Sequence, residues 1–300
     1  MVNIESWLNA PFLEAILVAL EKWTDPSHAE YLPPSKRLAV FDLDGTLWCE
    51  KPLITEVAFW IHELGAVKQN VEYAQHHSEI DRLLVCVESE TKSVVAEAAR
   101  LYYRIFEHET SEQYQDKVNA WFNTALHPRF NVPLSELAYL PMKALLHHLQ
   151  AHGFRYIINS GSTHDFLTAC CLAVLNIDSQ DVLGSFRSSE SEREPLDVNI
   201  GEKKVTQFKQ KYDSIPVIAV GNTAHDIPLI EWVNSNENAV TGFIHHDDRM
   251  QEYDYDFDSK LKAYLSLPST QSYKISMKHH WNHVFEFDAL PADKNLVSQV

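Results

Sequence analysis

Three short apolar runs, each ending at or just before a glycine, constrain this chain more than any other feature. Leu38–Phe41 leads into Asp42-Leu43-Asp44-Gly45, Tyr156–Ile158 into Asn159-Ser160-Gly161, and Pro216–Val220 into Gly221. Glycine is scarce, with 8 in 300 residues, so its recurrence at these ends is a signal. Apolar runs of this length between helical patterns read as parallel strands buried on both faces. Ile16, Leu17, Leu20 and Trp23 mark an N-terminal helix, with Pro11 near its start and Asn9 as a candidate cap. Leu145, Leu146 and Leu149 mark another, closed by Gly153, and Phe208 with Tyr212 a third. Further strand candidates are 239–244 and 273–277. Strand and helix in alternation predict an α/β fold with a doubly wound parallel sheet.

Residues 52–130 break that alternation. They hold one glycine and long helical patterns: Phe59, Trp60, Ile61 and Leu64; Val94, Val95, Ala98, Leu101, Tyr102 and Ile105; Trp121 and Phe122. The reading is an all-helical insertion at 52–130, with 1–51 and 131–300 forming the α/β core. Its aromatic residues read as helical core rather than a platform for stacking bases. The polar stretch Ser188 to Glu194 reads as a solvated loop.

Lys and Arg number 25 against 42 Asp and Glu, a formal charge of −17. That balance argues against a non-specific nucleic-acid binder or a basic membrane-surface protein. The densest apolar run, Phe12 to Leu20, is half a membrane span and contains Glu14, and no basic segment precedes it. Four cysteines make no disulfide framework; adjacent Cys170 and Cys171 read as small core residues. A cytoplasmic location is the expectation.

In open α/β sheets, ligands bind beyond the carboxyl ends of the strands. Here the first strand end carries Asp42 and Asp44, the second Ser160, and the third leads to Asp226. Carboxylates this close repel unless a cation lies between them or one is protonated, and Mg²⁺ prefers such oxygen ligands. Backbone N–H groups after Gly161 suit a phosphate oxygen at a helix start. Lys204 opens a helical pattern; Lys203 is its rival. For Asp226 a capping role is equally consistent with Pro228 just downstream. The adjacent histidine pairs 147–148, 245–246 and 279–280 point apart within an element and read as non-chelating.

Asp42-Leu43-Asp44-Gly45-Thr46, Ser160, Lys204, and Gly221-Asn222 with Asp226 resemble, in order and spacing, the four signatures of the haloacid-dehalogenase-like (HAD) phosphohydrolases. Residues 46–52, 127–130, 245–256 and 276–281 extend the likeness to a phosphoserine-phosphatase-like branch. The resemblance implies a Rossmannoid core with a helical type-1 cap and a Mg²⁺-dependent phosphatase acting on a small phosphorylated metabolite. It implies Asp42 as nucleophile and metal ligand, and Asp44 as general acid/base offering its carbonyl to the metal. Thr46 would steady the loop, Ser160, Gly161 and Lys204 would hold the phosphoryl group, and Asp226 would be the second metal carboxylate. Asn222 stands where aspartate is commoner, which implies weaker metal binding. Glu50 and Lys51, at the start of the insertion, are candidates for substrate contact. The alternatives are a phosphomutase or phosphotransferase on the same core, or a non-catalytic interaction module.

Overall fold

The computed structural model describes residues 4–88, 94–188 and 195–289. In chain order the main elements are α1 (Pro11–Thr24), β1 (Leu38–Phe41), α2 (Thr55–Val67), α3 (His77–Glu88), α4 (Val94–Ile105), α5 (Ser111–Thr124), α6 (Leu140–Ala151), β2 (Arg155–Thr163), α7 (His164–Leu175), β3 (Val182–Arg187), β4 (Leu196–Asp197), α8 (Glu202–Lys211), β5 (Ile218–Gly221), α9 (Ile227–Val233), β6 (Val240–Asp247), β7 (Asp254–Tyr255), α10 (Ser259–Leu265), β8 (Tyr273–Ser276) and α11 (Met277–His280). This is the mixed, parallel-dominated α/β fold expected. The chain gathers into two compact units. One comprises residues up to Cys49, Glu136–Tyr156 and residues from Ser214; the other comprises Glu50–Ser135 and Ile157–Asp213. The helical stretch 52–130 thus shares a unit with 157–213, because α5 packs along α7.

In the first unit β1, β5 and β6 are parallel neighbours, with Phe41 opposite Val220 and Val220 opposite Gly242. Beyond them, β6 takes β8 in parallel along Gly242–His245 and β7 antiparallel along His246–Asp247. Every residue of β1 and β5 is buried, which is why they read as continuous apolar runs. The helix α1 packs against β6 and β8 and buries Phe12, Ile16, Leu20 and Trp23 at helical spacing. Its cap is Ala10, not Asn9, and makes no side-chain bond. Pro11 takes the first helical position and holds its predecessor extended, so Asn9 lies one residue too far out.

In the second unit β2 runs parallel to β3, which pairs antiparallel with β4. The strand β2 continues through Ser160 and Gly161 to Thr163, with a register irregularity after Asn159. The expected helix start directly after Gly161 is therefore displaced to His164, where the Thr163 hydroxyl accepts from Phe166 N and caps α7. Within 52–130 four α-helices form among the described residues rather than the three anticipated. The extra one, α3, buries Ile80 and Leu83 completely and leaves Val85 exposed; its apolar residues run consecutively from Leu83 to Val87, which masks the helical period. The aromatic residues do build core: Phe59 packs edge-on against Tyr114 and Trp121, each at 5.4 Å. Buried Glu56 accepts from Thr163 N at 2.8 Å, from the Thr163 hydroxyl, and from the Tyr114 hydroxyl at 2.6 Å. Burial, reinforced by the Glu56 charge, pushes the Tyr103 and Tyr114 phenols well above their ordinary range. Cys170 and Cys171 are buried as expected. Residues 189–194 of the anticipated polar loop lie outside the described residues.

At the end of β6, Asp247 accepts from the Ser276 hydroxyl at 2.7 Å and Lys278 N at 3.0 Å, and His245 Nδ1 approaches to 3.1 Å. Burial pushes its carboxyl up, but these three partners outweigh that and hold it well below the ordinary range. Asp247→Asn is expected to cost about 1–2 kcal/mol at neutral pH. A lowered native pKa contributes stability that is present above about pH 4 and fades as the pH falls toward the native value. Urea unfolding at pH 7 and pH 3 checks this; a gap between variant and wild type that does not narrow at pH 3 contradicts it.

Candidate active site

Asp42 lies one residue beyond β1, and its backbone N donates to Val220 O at 2.9 Å. That bond extends the β1–β5 register, which sets Asp42 beside Gly221. A Cβ on Gly221 would fall 2.5 Å from Cβ and Cγ of Asp226. The carboxylate of Asp226 therefore fills the space a side chain at 221 would need, and only glycine permits the approach. It is held there by Asn222 N, Thr223 N and the Thr223 hydroxyl, all donating to Oδ2 at 3.0–3.2 Å. Thr223 and Asp226 form a reciprocal capping box. Asp226 stands at the cap position of α9 but makes no side-chain bond to that helix; its carboxylate instead closes the box with Thr223 in the preceding turn, which brings it to the end of β5.

After Asp42 the chain turns tightly. Thr46 N and Leu47 N both donate to Leu43 O, and Gly45 N to Trp48 O, with Gly45 at φ +73°. Few residues other than glycine adopt that φ. The turn buries Asp42, Asp44 and Thr46. It sets the Thr46 hydroxyl 3.4 Å from Asp42 Oδ2 and lets Trp48 Nε1 donate to Asp44 Oδ1 at 2.8 Å. Behind the turn, His246 Nε2 lies 2.9 Å from the Gly45 carbonyl and His246 Nδ1 lies 3.1 Å from Glu252 Oε2. A carbonyl only accepts, so Nε2 carries that proton. Glu252, fully buried, also accepts from the Cys49 thiol at 3.0 Å and the Tyr139 hydroxyl at 3.3 Å. Trp48, His246 and Glu252 escaped sequence reasoning; the polar pair inside a buried strand, His245-His246, was the available signal.

The second unit holds Ser160, Gly161 and Lys204. The hydroxyl of Ser160 accepts from Ser162 N at 3.1 Å. Asn199, also unanticipated, donates through Nδ2 to Asn159 Oδ1 at 2.8 Å and Ser160 O at 3.1 Å, while Asn159 Nδ2 donates to Lys204 O at 2.9 Å. These bonds tie Ser160 to the first turn of α8. Lys204 is 2% exposed, whereas its rival Lys203 is exposed and paired with Asp197. Glu50 and Lys51 are half-buried ahead of α2.

A family model described as haloacid dehalogenase-like hydrolase matches residues 39–231. The chain belongs to that family. Comparison with curated proteins finds no match. Among solved structures, this HAD-family hydrolase is similar to a conserved protein of unknown function from Anaerococcus prevotii, at 14% identity and TM-score 0.51, covering 81% of this chain and 88% of that one. It is also similar to a Bordetella pertussis protein of unknown function at 14% identity and TM-score 0.49, covering 79% and 97%. A third is a phosphoserine phosphohydrolase-like protein from Francisella tularensis, at 13% identity and TM-score 0.40, covering 77% and 100%. No helix among the described residues is long and apolar enough to cross a membrane.

The donors at the ends of β1 and β5 are oxygens: the buried carboxylates of Asp42 and Asp226, with the backbone carbonyl of Asp44 two residues on. That chemistry fits a hard divalent cation. Among the described residues no group of three or more His, Cys, Asp or Glu side chains forms a metal cluster. His246→Ala removes the imidazole facing buried Glu252 and the donor on the Gly45 carbonyl. It is expected to cost about 3–5 kcal/mol of stability, measured by chemical denaturation. Glu252→Gln in the same chain should recover part of the loss; a single-variant cost under about 1 kcal/mol would rule out a tightly coupled buried pair.

Proposed function

We propose that this HAD-family hydrolase is a Mg²⁺-dependent phosphatase that hydrolyses a small phosphomonoester through an aspartyl-phosphate on Asp42. The observation that carries the reading is the placement of Asp42 and Asp226 at the ends of paired strands, with Asp44 two residues on in a turn closed by Gly45. A chain of charge −17 needs local neutralisation to accept an anionic ester. Asp42, Asp226 and the Asp44 carbonyl would hold Mg²⁺, which when bound offsets negative charge on the phosphoryl group. Asn222, an amide at the fourth signature, makes that hold weaker than a third carboxylate would.

The Asp42 carboxylate attacks phosphorus, and the P–O bond to the leaving alcohol breaks. Asp44 gives its proton to the departing oxygen. It then takes a proton from water, whose oxygen attacks the acyl phosphate, frees inorganic phosphate and restores Asp42. Trp48 Nε1 fixes the Asp44 carboxyl for both transfers, and Thr46 steadies Asp42. Ser160, Gly161 and Lys204 keep the phosphate-binding role that their signatures imply; support comes from the burial of Lys204 and the bonds joining Ser160 to α8 through Asn159 and Asn199. Residues 52–130 keep the cap role, with Glu50 and Lys51 at its start as candidate substrate contacts, on the strength of the sequence likeness.

Asp42→Ala should lower turnover of a chromogenic phosphate ester by at least about 1,000-fold, with an unchanged circular dichroism spectrum. Asp44→Asn should lower it about 10²–10⁴-fold. Retained turnover in Asp42→Ala refutes the nucleophile. Chelation should silence the wild type, and added Mg²⁺ should restore it; rates indifferent to chelator refute the metal.

A further inference from the structure

The second unit contains a cavity of about 320 Å³ where β2 and β3 end, walled by Tyr103 and Tyr114 on one side and by Thr163, His164, Phe186 and Arg187 on the other. The Arg187 guanidinium lies over the Tyr103 ring at 5.2 Å. One of its nitrogens, Nη2, donates to Tyr103 O at 3.3 Å and Glu107 O at 2.9 Å. Two backbone carbonyls and one ring therefore fix its position, while Nε and Nη1 make no hydrogen bond among the described residues. Arg187 forms no ion pair there either, in a chain with 42 acidic side chains to choose from. Both Nη2 hydrogens are thereby committed, so this exposed guanidinium offers an anion its charge and single hydrogen bonds from Nε and Nη1.

The other charges facing the cavity do not supply that anion. Glu109 is met by Lys117 Nζ at 2.7 Å and the Tyr102 hydroxyl at 2.7 Å. Asp165 accepts from Gln115 Nε2 at 2.9 Å. Burial lowers the pKa of His164, which stacks on Phe186. Hydroxyls are sorted as well: Thr163 and Tyr114 give their protons to Glu56, and Ser185 gives its proton to Gly161 O. Thr110 and Ser111, at the start of α5, also line the cavity with hydroxyls. The aromatic faces of Tyr103 and Phe186 leave room for a short carbon skeleton.

We propose that this cavity binds a small organic anion, a carboxylate or phosphate on a short carbon chain, with Arg187 as the principal recognition residue. The anion is either a second acidic group on the phosphorylated substrate or a separate ligand, and the experiment distinguishes these sources. Anion binding at Arg187 concerns the second unit alone; only the assignment of its source to the substrate rests on the phosphatase reading. Malonate binding to the full-length protein in the presence of chelator is measured by calorimetry for wild type, Arg187→Gln and Arg187→Lys, with thermal melts to confirm folding. The expected result is at least a tenfold loss of affinity in Arg187→Gln and a smaller loss in Arg187→Lys. Malonate that binds wild type and Arg187→Gln alike, or does not bind wild type, overturns the proposal.

Steady-state hydrolysis then identifies the source. If KM for 3-phosphoglycerate rises in Arg187→Gln while KM for glycerol 3-phosphate does not, the cavity reads the substrate. If both are unchanged while malonate binding is lost, it reads a separate ligand. A wild type that releases phosphate from neither ester counts against the phosphatase reading, whereas the malonate affinities still decide whether Arg187 binds an anion.

Discussion

At the end of β5 the backbone of Gly221 comes so close to Asp226 that no side chain fits between them. That contact decides where the carboxylate goes. Three donors from 222 and 223 hold its Oδ2, and β1 pairs with β5 in a register that puts Asp42 alongside. The acid pair follows from strand pairing and a capping box, both of which the chain forms for its own stability. Repulsion between the two acids is the cost of this arrangement, and it is what gives the strand ends an affinity for a cation.

Support for the turn carrying Asp44 comes from far along the chain. The side chain of His246, two hundred and one residues from Gly45, holds that residue's carbonyl, and Glu252 holds the imidazole. The turn would otherwise expose its carbonyls to whichever donor was nearest. A buried histidine facing a buried glutamate makes one arrangement much better than its neighbours.

Legibility in the sequence followed the range of the interactions. Strands buried on both faces write themselves as apolar runs, so β1, β2 and β5 were readable, as were α1, α6 and α8. The acids Asp42, Asp44 and Asp226 stood out because they follow those runs. Burial of Lys204 and exposure of Lys203 on α8 separate two residues that the sequence left as rivals. Trp48, Asn199, His246 and Glu252 were invisible for the opposite reason: each matters through a partner that only tertiary structure supplies, and each alone is an ordinary core or polar residue. The Asn9 cap and the early end assigned to β2 failed locally. Proline shifted the first by one residue, and a strand irregularity carried the second past its glycine.

Glu56 sits among phenols whose ionisation is driven far into the alkaline range, with Tyr114 bonded to it directly. Such groups keep their protons through every acidity a living cell maintains. The carboxylate at the junction of α2, α5 and β2 therefore keeps the Tyr114 proton as a donor throughout that range, and Tyr114 is no proton switch. Any response of the second unit to acidity has to act elsewhere, at side chains whose bonding capacity is not already committed.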